Sequence, residues 1–286
     1  MTARTSAPVP AGPAAGPAAG PVRRWVARRP LTAFTAVVFG AGWPVMSVPA
    51  LTAHGLLPGG ALPVEPFVLA TLLLVMLPAA VGVTAVLDGR AGVRALLART
   101  VRWRFGAGWW AAVGLGLPAV TLAAGLVTGR VLVLDDAGAV LAGAVLSAVG
   151  ALLLVNLWEE TVWAGFLQTR LQQRSGPWRA ALLTGVAFAG IHVPLQFTDG
   201  ATAGSALAGV GVLLGAGVLV RALAGAVLTG TGGSVLAVAV LHASSNASNS
   251  EDELVDRLLS GGSPLVLALA ATAVLTASLV AAQRRR

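Results

Sequence analysis

The chain has 286 residues, 56% of them hydrophobic and 10% charged, with a mean hydropathy of +0.83, and no polar block is long enough to be a second, soluble domain. It contains no cysteine, which excludes disulfides, a thiolate nucleophile and cysteine-ligated metals. The net charge of +8 is carried by arginine alone, and these arginines flank apolar runs, so the charge reads as membrane topology and not as nucleic-acid binding.

Residues 1–22 repeat Ala, Gly and Pro, cannot bury a core and read as a disordered tail; residues 23–286 read as one polytopic membrane domain. The first apolar run follows Arg23, Arg24, Arg28 and Arg29, as a retained helix and not a signal peptide. With about 20 residues needed to span a bilayer, the apolar segments lie at 31–53, 64–87, 107–129, 139–169, 179–198, 204–225, 232–248 and 263–282. The expected fold is therefore an all-α bundle of about eight transmembrane helices in the cell membrane, the fourth long enough to tilt or protrude. If the segments alternate, Arg23 to Arg29, Arg90 to Arg104, Arg170 to Arg179, Arg221 and Arg284 to Arg286 fall on one side. Glu65, Asp135, Asp136, Asp199 and Glu251 to Glu253 fall on the other, where Arg130 and Arg257 are the basic exceptions. Both termini are thus expected in the cytoplasm. Pro44, Pro49, Pro78 and Pro118 predict kinks. The glycines from Gly204 to Gly217 and Gly225 to Gly233 predict close helix packing. Trp25, Trp103, Trp109, Trp110 and Trp178 predict interfacial anchors.

Once charges at segment ends are set aside, the polar residues left inside the apolar segments are Glu159, Glu160, His192, His242, Asn246 and Asn156. His54, at the outer end of the first segment, reads as an incidental interfacial residue. A charge at mid-bilayer costs roughly 2.5–3.5 kcal/mol on insertion scales, so an intramembrane carboxylate pair marks a functional site. By helical rise Glu159 lies roughly 16 Å from Arg170, His192 roughly 20 Å from Arg179 and His242 roughly 15 Å from Gly232, so the three can share one level, reached from the cytoplasmic side. Asn246 follows His242 by four residues, on the same helix face. A carboxylate beside an imidazole can hold a water and take its proton, and a second imidazole with a carboxamide can stabilise an oxyanion. The same Glu159, His192 and His242 are equally a ligand set for a divalent metal such as zinc, although no His-Glu-x-x-His spacing is present.

These residues resemble the motifs of the CPBP family, the membrane-embedded CAAX-protease and bacteriocin-processing group also called Abi proteins. Glu159-Glu160-Thr161-Val162-Trp163-Ala164-Gly165 is similar to Glu-Glu-x-x-x-Arg, Phe188 to His192 to Phe-x-x-x-His, and His242 to Asn246 to His-x-x-x-Asn, all within about 150–250. The resemblance implies an eight-helix bundle with a cavity open to the cytosol and an endopeptidase acting near the C-terminus of a membrane-associated peptide or protein. Glu159 and His192 would activate water, and His242 and Asn246 would stabilise the oxyanion. Many members carry a metalloprotease description. The sequence departs at Ala164, where the family has Arg, so Glu160 lacks the helical ion-pair partner four residues on. The alternatives are a catalytically weakened scaffold or immunity-type protein, and a proton-coupled transporter using the same carboxylates.

Overall fold

The computed structural model describes residues 20–198 and 200–284, which are helical with no named strand among them. In chain order the helices are α1 (Pro21–Arg28), α2 (Pro30–Ala53), α3 (Glu65–Thr100), α4 (Ala107–Val127), α5 (Ala137–Ser175), α6 (Pro177–His192, continued by a 3-10 turn over Val193–Phe197), α7 (Ala203–Gly230), α8 (Val235–Asn249), α9 (Leu254–Leu258) and α10 (Leu265–Arg284). Seven of the described helices are long and apolar enough to cross a membrane. The tail expectation for residues 1–19 lies outside the described residues, as do Asp199, Arg285 and Arg286, while Pro21 and Val22 already belong to α1.

Two segments differ from their sequence bounds. The sixth does not end at 225: α7 runs for 28 residues to Gly230, because Ala226, Val227 and Leu228 still pack into the bundle, so Arg221 lies more than two turns inside a helix. The seventh is the short α8 of 15 residues, about 22 Å long. It is capped by Ser234, whose Oγ accepts from the Ala237 N–H at 3.1 Å, and it is buried along nearly its whole length. A helix enclosed by others does not need the length of a lipid-facing span.

The marked break inside α3 is at Gly89 and not at Pro78: Gly89 has φ 64° and ψ −162°, a left-handed φ that L side chains rarely adopt. Beyond it, Arg90 to Thr100 is a short basic helix. α5 is the longest element, with 39 residues. It is interrupted by π-helical stretches at Leu152–Asn156 and Thr161–Gln168, on either side of Leu157–Glu160. Such widened turns recur at functional sites. Every side chain of Thr161–Gln168 is buried because this stretch lies between two apolar clusters. Val162, Trp163, Phe166 and Leu167 pack with Phe34 and Val38 of α2, and Ala164 packs with Leu223, Ala224 and Leu241 of α7 and α8.

The chain ends of one face are stitched by arginines. Arg99 donates to Gly233 O at 2.9 Å, Gly165 O at 3.3 Å and Thr169 Oγ1 at 2.9 Å. Arg102 donates to Gly232 O at 2.7 Å, and Arg170 pairs with Asp88 at 2.5 Å. On the opposite face the His54 Nε2–H donates to Phe197 O at 2.9 Å, so His54 is not incidental: it ties α2 to the end of the 3-10 turn. Arg130 donates there to Gly262 O at 2.7 Å.

The glycines do allow close approach. A Cβ on Gly185 of α6 would fall 2.6 Å from the Val218 Cα of α7, and one on Gly217 would fall 3.1 Å from Gly185 O. The obstruction is backbone, so Gly185→Ala must push α6 and α7 apart. The expected cost is about 1–3 kcal/mol, read as a lower midpoint of thermal unfolding in detergent. An unchanged midpoint would show that the two helices are not packed this tightly.

Candidate active site

Four helices bring the polar residues together. Glu159 and Glu160 sit on α5 between its two π-helical stretches, His192 ends the α-helical part of α6, Arg221 lies within α7, and His242 and Asn246 lie one turn apart on α8. Of the sequence-predicted set, Glu159, Glu160, His192 and His242 converge. His192 Nε2 is 3.7 Å from Glu159 Oε1, and His242 Nδ1 is 2.8 Å from Glu160 Oε1 and 3.9 Å from Glu159 Oε2. The carboxamide of Asn246 makes no hydrogen bond to a described residue and is half-buried. Asn156 is buried one turn before Glu160, with Oδ1 unpartnered among the described residues.

The two carboxylates are not equivalent. Glu160 is fully buried and takes both arms of the Arg221 guanidinium, Nη1 to Oε2 at 2.7 Å and Nη2 to Oε1 at 2.6 Å. This bidentate fork compensates its charge. Arg221 is itself fully buried, its guanidinium lies 4.9 Å from the Phe188 ring centroid, and its carbonyl accepts from Gln168 Nε2 at 2.6 Å. One sequence expectation is corrected here: Arg221 is not a topological charge at a helix end. Glu160 does lack the helical partner four residues on, and pairs with an arginine of another helix. Position 164 is occupied by a packed alanine, and the guanidinium arrives from α7 instead. Glu159, in contrast, has no arginine partner among the described residues and receives from them one hydrogen bond, from Trp163 Nε1 at 3.3 Å.

Hydrogen bonds fix both imidazoles. His192 donates Nδ1–H to the Phe188 carbonyl at 2.7 Å, an oxygen that can only accept, which leaves Nε2 directed at Glu159. His242 donates Nδ1–H to Glu160, which is acceptor-only in its pairing with Arg221, and leaves Nε2 free. Phe188 holds the rings in place: its centroid is 4.9 Å from His192, 6.0 Å from His242 and 5.9 Å from Trp163. The phenylalanine four residues before His192 therefore serves the cluster with both its carbonyl and its ring.

Among the described residues no group of three or more His, Cys, Asp or Glu side chains stands where it could hold a metal ion. Nδ1 of both His192 and His242 is committed to an acceptor, which leaves Nε2 as the ring nitrogen that each presents to a further partner.

Sequence reasoning missed Arg221 as a site residue. The signal was present in Leu219-Val220-Arg221-Ala222-Leu223, where an arginine interrupts an apolar run that continues to Leu228. Extending that segment by one turn would have made it an intramembrane charge in need of a partner.

Residues 141–248 match the family model described as "Rce1-like: Type II CAAX prenyl endopeptidase Rce1-like". The matched stretch contains Glu159, Glu160, His192, Arg221, His242 and Asn246, and agrees with the resemblance drawn from the motifs. No curated protein matches the chain.

Proposed function

We propose that this chain, a multi-pass membrane protein carrying an Rce1-like type II CAAX prenyl endopeptidase domain as a CPBP family intramembrane protease does, hydrolyses a peptide bond of a membrane-associated peptide or protein with water activated by Glu159 and His192. The observation that carries this reading is the pairing of one uncompensated carboxylate, Glu159, with an imidazole nitrogen 3.7 Å away that has no other partner. That separation is beyond a direct hydrogen bond and suits one water touching both groups. The water donates one proton toward His192 Nε2 and one to Glu159, whose carboxylate removes it as the oxygen attacks the carbonyl carbon. The carbonyl oxygen becomes an oxyanion, which accepts from the Asn246 carboxamide and from His242 Nε2–H of the imidazolium. Glu159 then returns its proton to the leaving amine as the C–N bond breaks. The Arg221–Glu160 pair touches no reacting atom; it holds His242 by Nδ1 so that Nε2 faces the substrate.

The test is cleavage of candidate membrane-associated peptides by the purified, reconstituted protein. His192→Ala is expected to lower kcat by about 100-fold or more, the usual worth of a positioned acid–base group. Asn246→Ala is expected to lower it by about 100-fold, as loss of one oxyanion donor does. Cleavage unchanged by both substitutions would overturn the assignment.

A further inference from the structure

The break at Gly89 makes the last part of α3, Arg90 to Thr100, a short helix with two unlike faces. One is turned into the protein. Leu96 and Thr100 are buried, Arg99 is bonded to α5 and to the α7–α8 turn, and Thr100 Oγ1 lies 2.9 Å from Thr161 Oγ1 in a hydrogen bond. Arg90, Arg94, Leu97 and Val101 succeed one another at helical spacing on a different face, and all four are exposed. Together with Trp158 of α5 they line a groove of about 600 Å³, within the size range of small-ligand sites.

The two ends of this groove differ. Asp88, just before the break, meets Arg170, so the Arg90 end lies at the arginine-rich face. Thr100 meets Thr161, about 14 Å back along α5 from Arg170, so the Val101 end lies deeper in the bundle. At the first end two guanidinium groups stand one turn apart. Among the described residues neither Arg90 nor Arg94 has a hydrogen bond, an ion pair or a ring contact. Like charges at this spacing repel, and an anion between them relieves the repulsion. At the other end Trp158 is half-buried and donates its Nε1–H to Leu153 O at 3.1 Å, so its ring forms an apolar wall with no free donor. Leu97 and Val101, 43% and 63% exposed, complete that wall. A ligand matching both ends has an anionic headgroup with several acceptor oxygens and a hydrocarbon chain. The bilayer that these helices cross supplies molecules of that chemistry, whereas a free anion lacks the chain.

We propose that the groove between the Arg90–Val101 segment and Trp158 binds a glycerophospholipid of net negative charge, its phosphate held by Arg90 and Arg94 and one acyl chain laid against Leu97, Val101 and Trp158. The site lies outside the Glu/His cluster and does not rest on the endopeptidase reading. Trp158 directly precedes Glu159 and Thr161 directly follows Glu160, so the bound lipid fastens the basic helix to α5 on either side of the acidic pair.

The test reconstitutes the full chain in phosphatidylcholine vesicles and follows quenching of tryptophan fluorescence by a lipid with brominated acyl chains. Trp158 is one of eight tryptophans, so its part is the difference between wild type and Trp158→Phe. Brominated phosphatidylglycerol is expected to half-quench that part at a mole fraction about 10-fold or more below that of brominated phosphatidylcholine, the preference that two arginines give for an anionic headgroup. Arg90→Ala combined with Arg94→Ala should remove the preference. Leu97→Glu, which keeps both arginines and sets a carboxylate between headgroup and chain, should remove it too. Arg174→Ala combined with Arg179→Ala, an equal loss of charge from exposed arginines outside the groove, should leave it intact. Equal quenching by the two lipids in the wild type would overturn the proposal, as would a preference that survives the Arg90 and Arg94 changes or is lost with Arg174 and Arg179. Displacement of the brominated lipid by inorganic phosphate would show a site for the free anion and would equally overturn it.

Discussion

Arg221→Ala is expected to cost about 3–5 kcal/mol of folding stability, the usual consequence of removing one partner of a buried ion pair, and to abolish cleavage. The substitution strands the Glu160 carboxylate at zero exposure, with His242 as its remaining partner and no guanidinium to compensate it. Arg221→Lys keeps a charge but loses the two-armed fork, and should fall between wild type and alanine in both respects. The informative variant is the double substitution Arg221→Ala with Ala164→Arg. Ala164 shares an apolar cluster with Ala224, one turn after Arg221 on the same face of α7, and lies four residues after Glu160, so positions 164 and 221 approach Glu160 from two helices. Moving the guanidinium to α5 should restore much of the melting temperature and part of the activity. Thermal unfolding in detergent and cleavage rates read both. An Arg221→Ala protein that melts and cleaves like wild type would refute the pairing.

The second large effect is a contrast between neighbours. Glu159→Gln is expected to reduce cleavage by at least about 100-fold, because it removes the proposed base, while leaving stability near wild type. Its one hydrogen bond, from Trp163 Nε1, survives in a glutamine, and the Arg221 guanidinium keeps its two-armed pairing with Glu160. Glu160→Gln, the same chemical change one residue on, leaves Arg221 as a buried and uncompensated cation. It should destabilise by about 3 kcal/mol or more. Melting temperature and kcat measured on both proteins check this. Equal stability losses would mean that the two carboxylates share their partners, and full activity in Glu159→Gln would remove Glu159 from the chemistry.

Much of this site is legible in the sequence because a bilayer leaves few reasons for a polar side chain. Glu159, Glu160, His192, His242 and Asn246 stand out by elimination, and helical rise places three of them at a common level. The helix count is legible for the same reason, from runs of apolar residues. Pairing between helices is not. Arg221 and Glu160 are 61 residues apart, and their contact depends on how α5 and α7 cross, which no local spacing encodes. Local pattern also misleads at position 164, where the absence of an arginine looks like the absence of its charge. The kink at Gly89 was obscured by the more conspicuous Pro78, and the π-helical turns of α5 have no sequence signature in Leu152–Asn156 or Thr161–Gln168.

Arg99 gives the bundle a common datum. Its guanidinium is bonded at once to the backbone of α5 at Gly165 and to the α7–α8 turn at Gly233, from a helix that belongs to neither. The depth of the acidic pair and the depth of His242 are thereby measured from one point. Lipids of different chain length strain a bundle by tilting and sliding its helices. With α5 and the α7–α8 turn pinned to the same guanidinium, Glu159, Glu160 and His242 are expected to keep their register to one another as the bilayer thins or thickens around them.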